Sequence, residues 1–229
     1  ERAFRQQRKL GVVPADARLT PRPANIPAWD SLSPERRAIA ARQMEVFAAY
    51  GAYADHEVGR MLAAVRALPG AENTLVVYLV GDNGASAEGG LEGSLNEIAP
   101  MHGLEGKLPF TPQVLAELGG PRWDNNYAMG WAWAMNTPFQ YYKQVVSHLG
   151  ATRNPLVVAW PGHVADRGGL RSQFLDVTDV APTLLAAAGV AIPSSVNGID
   201  QKSLDGTSFL PLLAERDHAE IRTTQYFEV

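Results

Sequence analysis

The 229-residue chain carries 20 Lys and Arg against 24 Asp and Glu, a formal net charge of -4, and 46% hydrophobic residues. That balance suits a chain able to fill a core, and it gives no basic footprint for nucleic acid. No apolar run approaches the ~18 residues needed to span a bilayer, and the absence of cysteine excludes disulfides, thiolate metal sites and a cysteine nucleophile. Compartment is therefore unreadable from redox chemistry.

Taken in order, residues 1–30 hold Pro14, Pro21, Pro23 and Pro27. Prolines at that density disfavour regular helix and central strand, so the whole stretch is expected to be an extended surface segment. Ser33-Pro34-Glu35 opens a helix, with serine at the cap, proline in the first turn and an acid near the positive end. Ile39, Val46, Phe47, Tyr50, Val58, Met61, Val65 and Leu68 recur at mostly three- and four-residue steps, which predicts one apolar face running to about Leu68. Gly51 and Gly59 weaken this helix and mark candidate points of close packing. Asp55 and His56 are expected on its solvated face. Pro69-Gly70 ends it.

Thr74 to Val80 is an uncharged run of β-branched, aromatic and leucine residues, expected as a strand buried on both faces of a parallel sheet. It ends in Gly81-Asp82-Asn83-Gly84. Ligands of open α/β sheets collect beyond the carboxyl ends of strands. The Asp82 carboxylate and the Asn83 amide oxygen are hard donors suited to Ca²⁺ or Mg²⁺. The same four residues also make a good turn, and from this stretch alone both readings stay open.

Residues 84–109 are glycine-rich and expected to form a long loop covering whatever binds at Asp82-Asn83. Ser86, Glu88, Asn96 and His102 lie in it and are assigned no catalytic role. Thr111-Pro112 caps a short helix to Leu118. Residues 123–142 gather Trp123, Tyr127, Trp131, Trp133, Phe139, Tyr141 and Tyr142, which pack a core edge or line a pocket. Lys143 follows, either a solvated end of that segment or a point charge aimed at an anion. Pro155 to Trp160 is a second buried strand closed by Pro161-Gly162. Residues 164–171 are expected as a turn. Thr178 is expected to cap a helix to Ala188, stopped by Gly189. Residues 190–208 are expected as loop, and Phe209 to Leu213 as a short apolar helical turn.

These pieces together resemble the arylsulfatases, a branch of the alkaline-phosphatase-like superfamily. The likeness is carried by the strand ending in Gly81-Asp82-Asn83-Gly84-Ala85-Ser86, by Glu88-Gly89-Gly90 and Gly93-Ser94-Leu95-Asn96-Glu97, and by Gly130 to Phe139 leading to Tyr141-Tyr142-Lys143. Pro155 to Gly162 and Asp179-Val180-Ala181-Pro182-Thr183-Leu184-Leu185 complete it. The resemblance implies an alkaline-phosphatase-like α/β sandwich, with a mainly parallel sheet between helices and only part of the domain present. It implies one divalent cation, usually Ca²⁺ with Mg²⁺ also compatible, held in part by Asp82 and Asn83. It also implies that Lys143 contacts the sulfate of a small-molecule ester.

Two departures accompany this. His148-Leu149-Gly150 replaces the His-Glu-Gly-Gly of many sulfatases, so nothing is carried onto His148. The Cys/Ser-x-Pro-x-Arg motif that yields the formylglycine nucleophile does not occur in these residues. The expectation is therefore that residues 1–229 are part of a single catalytic domain cut at both ends, with formylglycine in an upstream portion and no turnover by these residues alone. The alternatives are a phosphodiester or phosphonate monoester hydrolase of the same superfamily, or a non-catalytic protein that binds metal or anion. The oligomeric state is not legible.

Overall fold

A computed structural model describes residues 1–96, 98, 102–103, 109–164 and 166–228. The remaining positions of the 84–109 loop and of the 164–171 turn lie outside the described residues. Helix α1 spans Arg2–Leu10, ended by Gly11 in the left-handed region (φ 75°). This corrects the expectation that all of residues 1–30 are extended. The prolines begin only at Pro14 and leave the first turns free to close their hydrogen bonds. Phe4, Val13 and Ile26 are buried, so the segment is partly packed.

Helix α2 runs Pro34–Arg66, capped as expected by Ser33, whose Oγ accepts from Arg36 N at 3.2 Å. Its first half is anchored by Gln43, 1% exposed, which accepts from Ala128 N (3.0 Å) and donates to Glu92 O (2.9 Å). Trp131 Nε1 donates to Ala40 O (2.9 Å). The anticipated continuous apolar face is only half covered: Phe47, Tyr50, Met61 and Leu68 are exposed. Nothing lies within 4 Å of a side chain built at Gly51 or Gly59, so neither marks close packing.

Strand β1 (Val76–Leu79) pairs antiparallel with β2 (Leu156–Ala159), Val76 opposite Ala159 and Leu79 opposite Leu156. Among the described residues the named strands form only two-stranded antiparallel sheets, and the one parallel pairing is the isolated bridge Asn96–Asp124. The chain is mixed α/β. The mainly parallel sheet that the resemblance implies, and into which the Thr74 to Val80 run was expected to fit, is not seen among the described residues. An apolar run reports burial, not strand direction, and Tyr78, Leu79 and Val157 are in fact exposed.

Between these strands lie α3 (Pro112–Glu117), capped by Thr111 as expected, α4 (Met129–Asn136) and the single turn α5 (Leu149–Thr152). After β2 comes α6 (Val180–Ala187). The expected Thr178 cap is replaced by an acidic pair. Asp176 Oδ1 accepts from Thr178 N (3.0 Å), and Asp179 Oδ2 accepts from Asp176 N (2.8 Å), closing a capping box around the preceding 3₁₀ turn. Residues 190–208 hold a small hairpin, β3 (Ser195–Val196) with β4 (Ile199–Asp200), rather than loop alone. Its turn is Asn197-Gly198, both at positive φ, as a tight hairpin turn requires. Helix α7 (Leu210–Ala214) closes the core: Phe209, Leu212 and Leu213 pack against Leu156, Val158, Trp160 and Val180. No described helix is long and apolar enough to cross a membrane.

Candidate functional site

The turn after β1 is the point where the two parts of the candidate site meet. Asp82 is exposed and Asn83 half-buried, and Asn83 Nδ2 donates to Asp82 Oδ1 at 2.9 Å, setting the pair side by side. The Asn154 amide, oriented to match donors with acceptors, brackets the Asn83 backbone, its nitrogen 2.9 Å from Asn83 O and its oxygen 3.3 Å from Asn83 N. Gly84 N donates to Ala151 O (2.7 Å), and Ala85 N donates to Asn136 Oδ1 (3.1 Å). Asn136 in turn donates to Tyr141 O (3.1 Å).

These bonds draw the 136–151 segment across the strand end. Lys143 N donates to Ala85 O at 3.1 Å, so the lysine is tied to the backbone two residues beyond Asn83. Two glycines permit the crossing. A Cβ on Gly84 would overlap the Gly150 carbonyl, and one on Gly150 would overlap the carbonyls of Gln140 and Tyr141. His148, given no role from sequence, packs against Tyr141 with ring centroids 4.4 Å apart and the planes tilted by 51°.

The Lys143 ammonium meets Glu88, a loop carboxylate to which the sequence reading assigns no role. Nζ lies 3.3 Å from Glu88 Oε1 and 3.4 Å from Oε2. Glu88 also accepts from Ser86 Oγ (2.8 Å) and Gln144 Nε2 (3.1 Å). The Ser86 hydrogen bond, with Lys143 beside it, holds the Glu88 carboxyl below the usual range against a partial burial that pushes it up. Burial pushes the nearby Tyr127 phenol up, and the Glu88 charge adds to this. Glu88 could have been suspected only from its nearness to the Asp-Asn pair, since a loop carboxylate six residues on has no spacing of its own.

The aromatic stretch serves packing more than pocket lining. Trp131 lies against Trp29 (5.6 Å between centroids) and Tyr127 edge-on to Phe47 (5.0 Å). Asn96 caps its own loop, accepting from Ile98 N (2.8 Å).

As a cation site the pair is compatible in chemistry but small in number. A carboxylate and an amide oxygen at a strand end suit a hard divalent ion. However, the described residues hold no cluster of three or more His, Cys, Asp or Glu that could complete a shell.

A family profile described as Sulfatase matches residues 9–190. The chain is 28% identical over 190 residues to an uncharacterized sulfatase of Schizosaccharomyces pombe, covering 82% of this chain and 32% of that protein. It is 28% identical over 170 residues to an arylsulfatase of Klebsiella aerogenes, covering 71% and 33% respectively. The chain thus spans about a third of the length of these relatives.

Proposed function

This chain belongs to the sulfatase family, and from that premise we propose that it supplies one part of the active site of a sulfuric-ester hydrolase of arylsulfatase type. Asp82 and Asn83 would hold a divalent cation, Ca²⁺ in the first instance with Mg²⁺ compatible, and ligands from outside the described residues would complete the shell. The cation would supply Lewis-acid polarisation and a fixed point for the ester oxygens. Lys143 would contact the sulfate and offset charge that develops as the S–O bond breaks. The substrate would be a small-molecule sulfate ester.

The observation that carries this reading is the Lys143 N to Ala85 O hydrogen bond. It ties the backbone of the lysine proposed to contact the anion to the turn that presents the oxygen donors. The formylglycine nucleophile would come from residues outside this chain. Without a nucleophile an ester is bound and not cleaved, so purified residues 1–229 are expected to hydrolyse 4-nitrophenyl sulfate no faster than a mock preparation.

A cation and an anion bound side by side attract each other, and the coupling is the same read from either ligand. In an NMR titration, Ca²⁺ is expected to tighten methyl sulfate binding read at the Lys143 amide, and Asp82→Ala to abolish that coupling. Ca²⁺ affinity unchanged by Asp82→Ala would overturn the assignment.

A further inference from the structure

Building on Lys143 as the anion contact, we propose that Glu88 acts as a charge filter there, biasing the site toward monoanionic esters and against dianions such as inorganic sulfate. Glu88 is held in place independently of Lys143. Ser86 Oγ and Gln144 Nε2 donate to its two oxygens, and Glu88 N donates back to Ser86 Oγ at 3.2 Å. Its carboxylate therefore stays where it is when the ammonium turns one of its three donors to a ligand. The pair is mostly shielded, with side chains 34% exposed for Lys143 and 26% for Glu88.

An anion on Lys143 sits about 3 Å from Nζ, and Nζ lies 3.3 Å from Glu88 Oε1. The ligand charge and the Glu88 charge are thus within roughly 6–7 Å, inside the Debye length at physiological salt. Their repulsion is proportional to ligand charge, so a dianion is penalised twice as much as a monoanion. A sulfate monoester carries one negative charge and the sulfate released from it carries two. The same carboxylate therefore weakens product more than substrate and favours release. For a partly screened pair the discrimination is on the order of three- to tenfold.

The test uses the 229-residue chain, wild type and Glu88→Gln, and trace acetylation of Lys143 by acetic anhydride read by mass spectrometry. Methyl sulfate and inorganic sulfate are the protecting ligands at fixed pH and ionic strength, with exposed Lys9 and Lys202 as internal standards. Glutamine keeps an acceptor for Ser86 and removes the charge. The sulfate-to-methyl-sulfate ratio of half-protecting concentrations is expected to fall roughly three- to tenfold in Glu88→Gln. Glu88→Asp, which keeps the charge, should retain the wild-type ratio. An identical ratio in wild type and Glu88→Gln overturns the filter and leaves the Lys143 reading standing. A Glu88→Asp protein that behaves like Glu88→Gln overturns it too, because charge would not be the cause. Failure of both anions to protect Lys143 in every protein overturns the filter and the anion-contact reading together.

Discussion

A methyl group at Gly84 would overlap the Gly150 carbonyl, and the backbone on either side is pinned by the Gly84–Ala151 and Lys143–Ala85 hydrogen bonds. Gly84→Ala is therefore expected to push the Asp82-Asn83 turn away from the lysine segment, lowering the urea midpoint and shifting the Lys143 amide resonance. Gly51→Ala and Gly59→Ala provide the opposite control. Both positions are open on α2 and helical, so each should stabilise the chain by about 0.5–1 kcal/mol. A Gly84→Ala protein with wild-type midpoint and spectrum would refute the crossing as described.

Asp179 is a buried carboxylate whose chemistry is decided by its hydrogen-bond donors. It is 0% exposed and accepts from Arg222 Nη2 (2.5 Å), Thr207 N (2.7 Å) and Asp176 N (2.8 Å). Burial pushes its carboxyl up, but Arg222 and the two backbone donors outweigh it and hold the group below the usual aspartate range. Asp179→Ala orphans a half-buried guanidinium and should cost about 3–5 kcal/mol in urea unfolding. With a folded pKa below the unfolded one, the stabilisation is present above the ordinary aspartate pKa. It is lost as pH falls through the lowered folded value. Asp179→Asn should flatten the acid limb of stability against pH.

At the scale of elements, α2 was legible because its cap and its three-to-four periodicity are local signals. What covers it was not. Gln43 lies on the buried face and reads as polar in sequence, yet it joins α2 to Glu92 and Ala128, whereas several of the apolar residues expected to be buried are exposed. Gln43→Ala should cost about 1–3 kcal/mol for each backbone group it orphans. Glu45→Ala, on the exposed side, should stay within about 0.5 kcal/mol. Equal midpoints for the two would contradict this division. The β1 and β2 runs were visible as strands, but direction depends on where the intervening residues return, which no local pattern encodes. The hairpin at 195–200 is different, since Asn197-Gly198 is itself a local turn signal within the stretch expected as loop. On the candidate site, Asp82, Asn83 and Lys143 are candidates in the sequence through the order of the landmarks, and the structure joins their segments at the Lys143 N to Ala85 O hydrogen bond. Glu88 needed three dimensions, because its partners Lys143 and Gln144 are more than fifty residues away.

At the scale of the whole molecule, β1 and β2 pair only with each other among the described residues and leave Tyr78, Leu79, Val80 and Val157 exposed. Apolar strands of this kind invite edge-to-edge association. Concentration-dependent self-association is expected in sedimentation equilibrium, reduced by Val157→Lys and unaffected by Lys202→Glu. A strictly monomeric chain at high concentration would count against it.

Whether Asp82, Asn83 and Lys143 act as one site is tested most directly by paramagnetic relaxation from Mn²⁺ on the ¹⁵N-labelled chain. A hard cation at the strand end should broaden the amides of residues 82–85 and of Lys143 first, and Asp82→Ala should remove the effect at both segments together. Broadening that spreads over the acidic surface, or that persists after Asp82→Ala, would contradict the account.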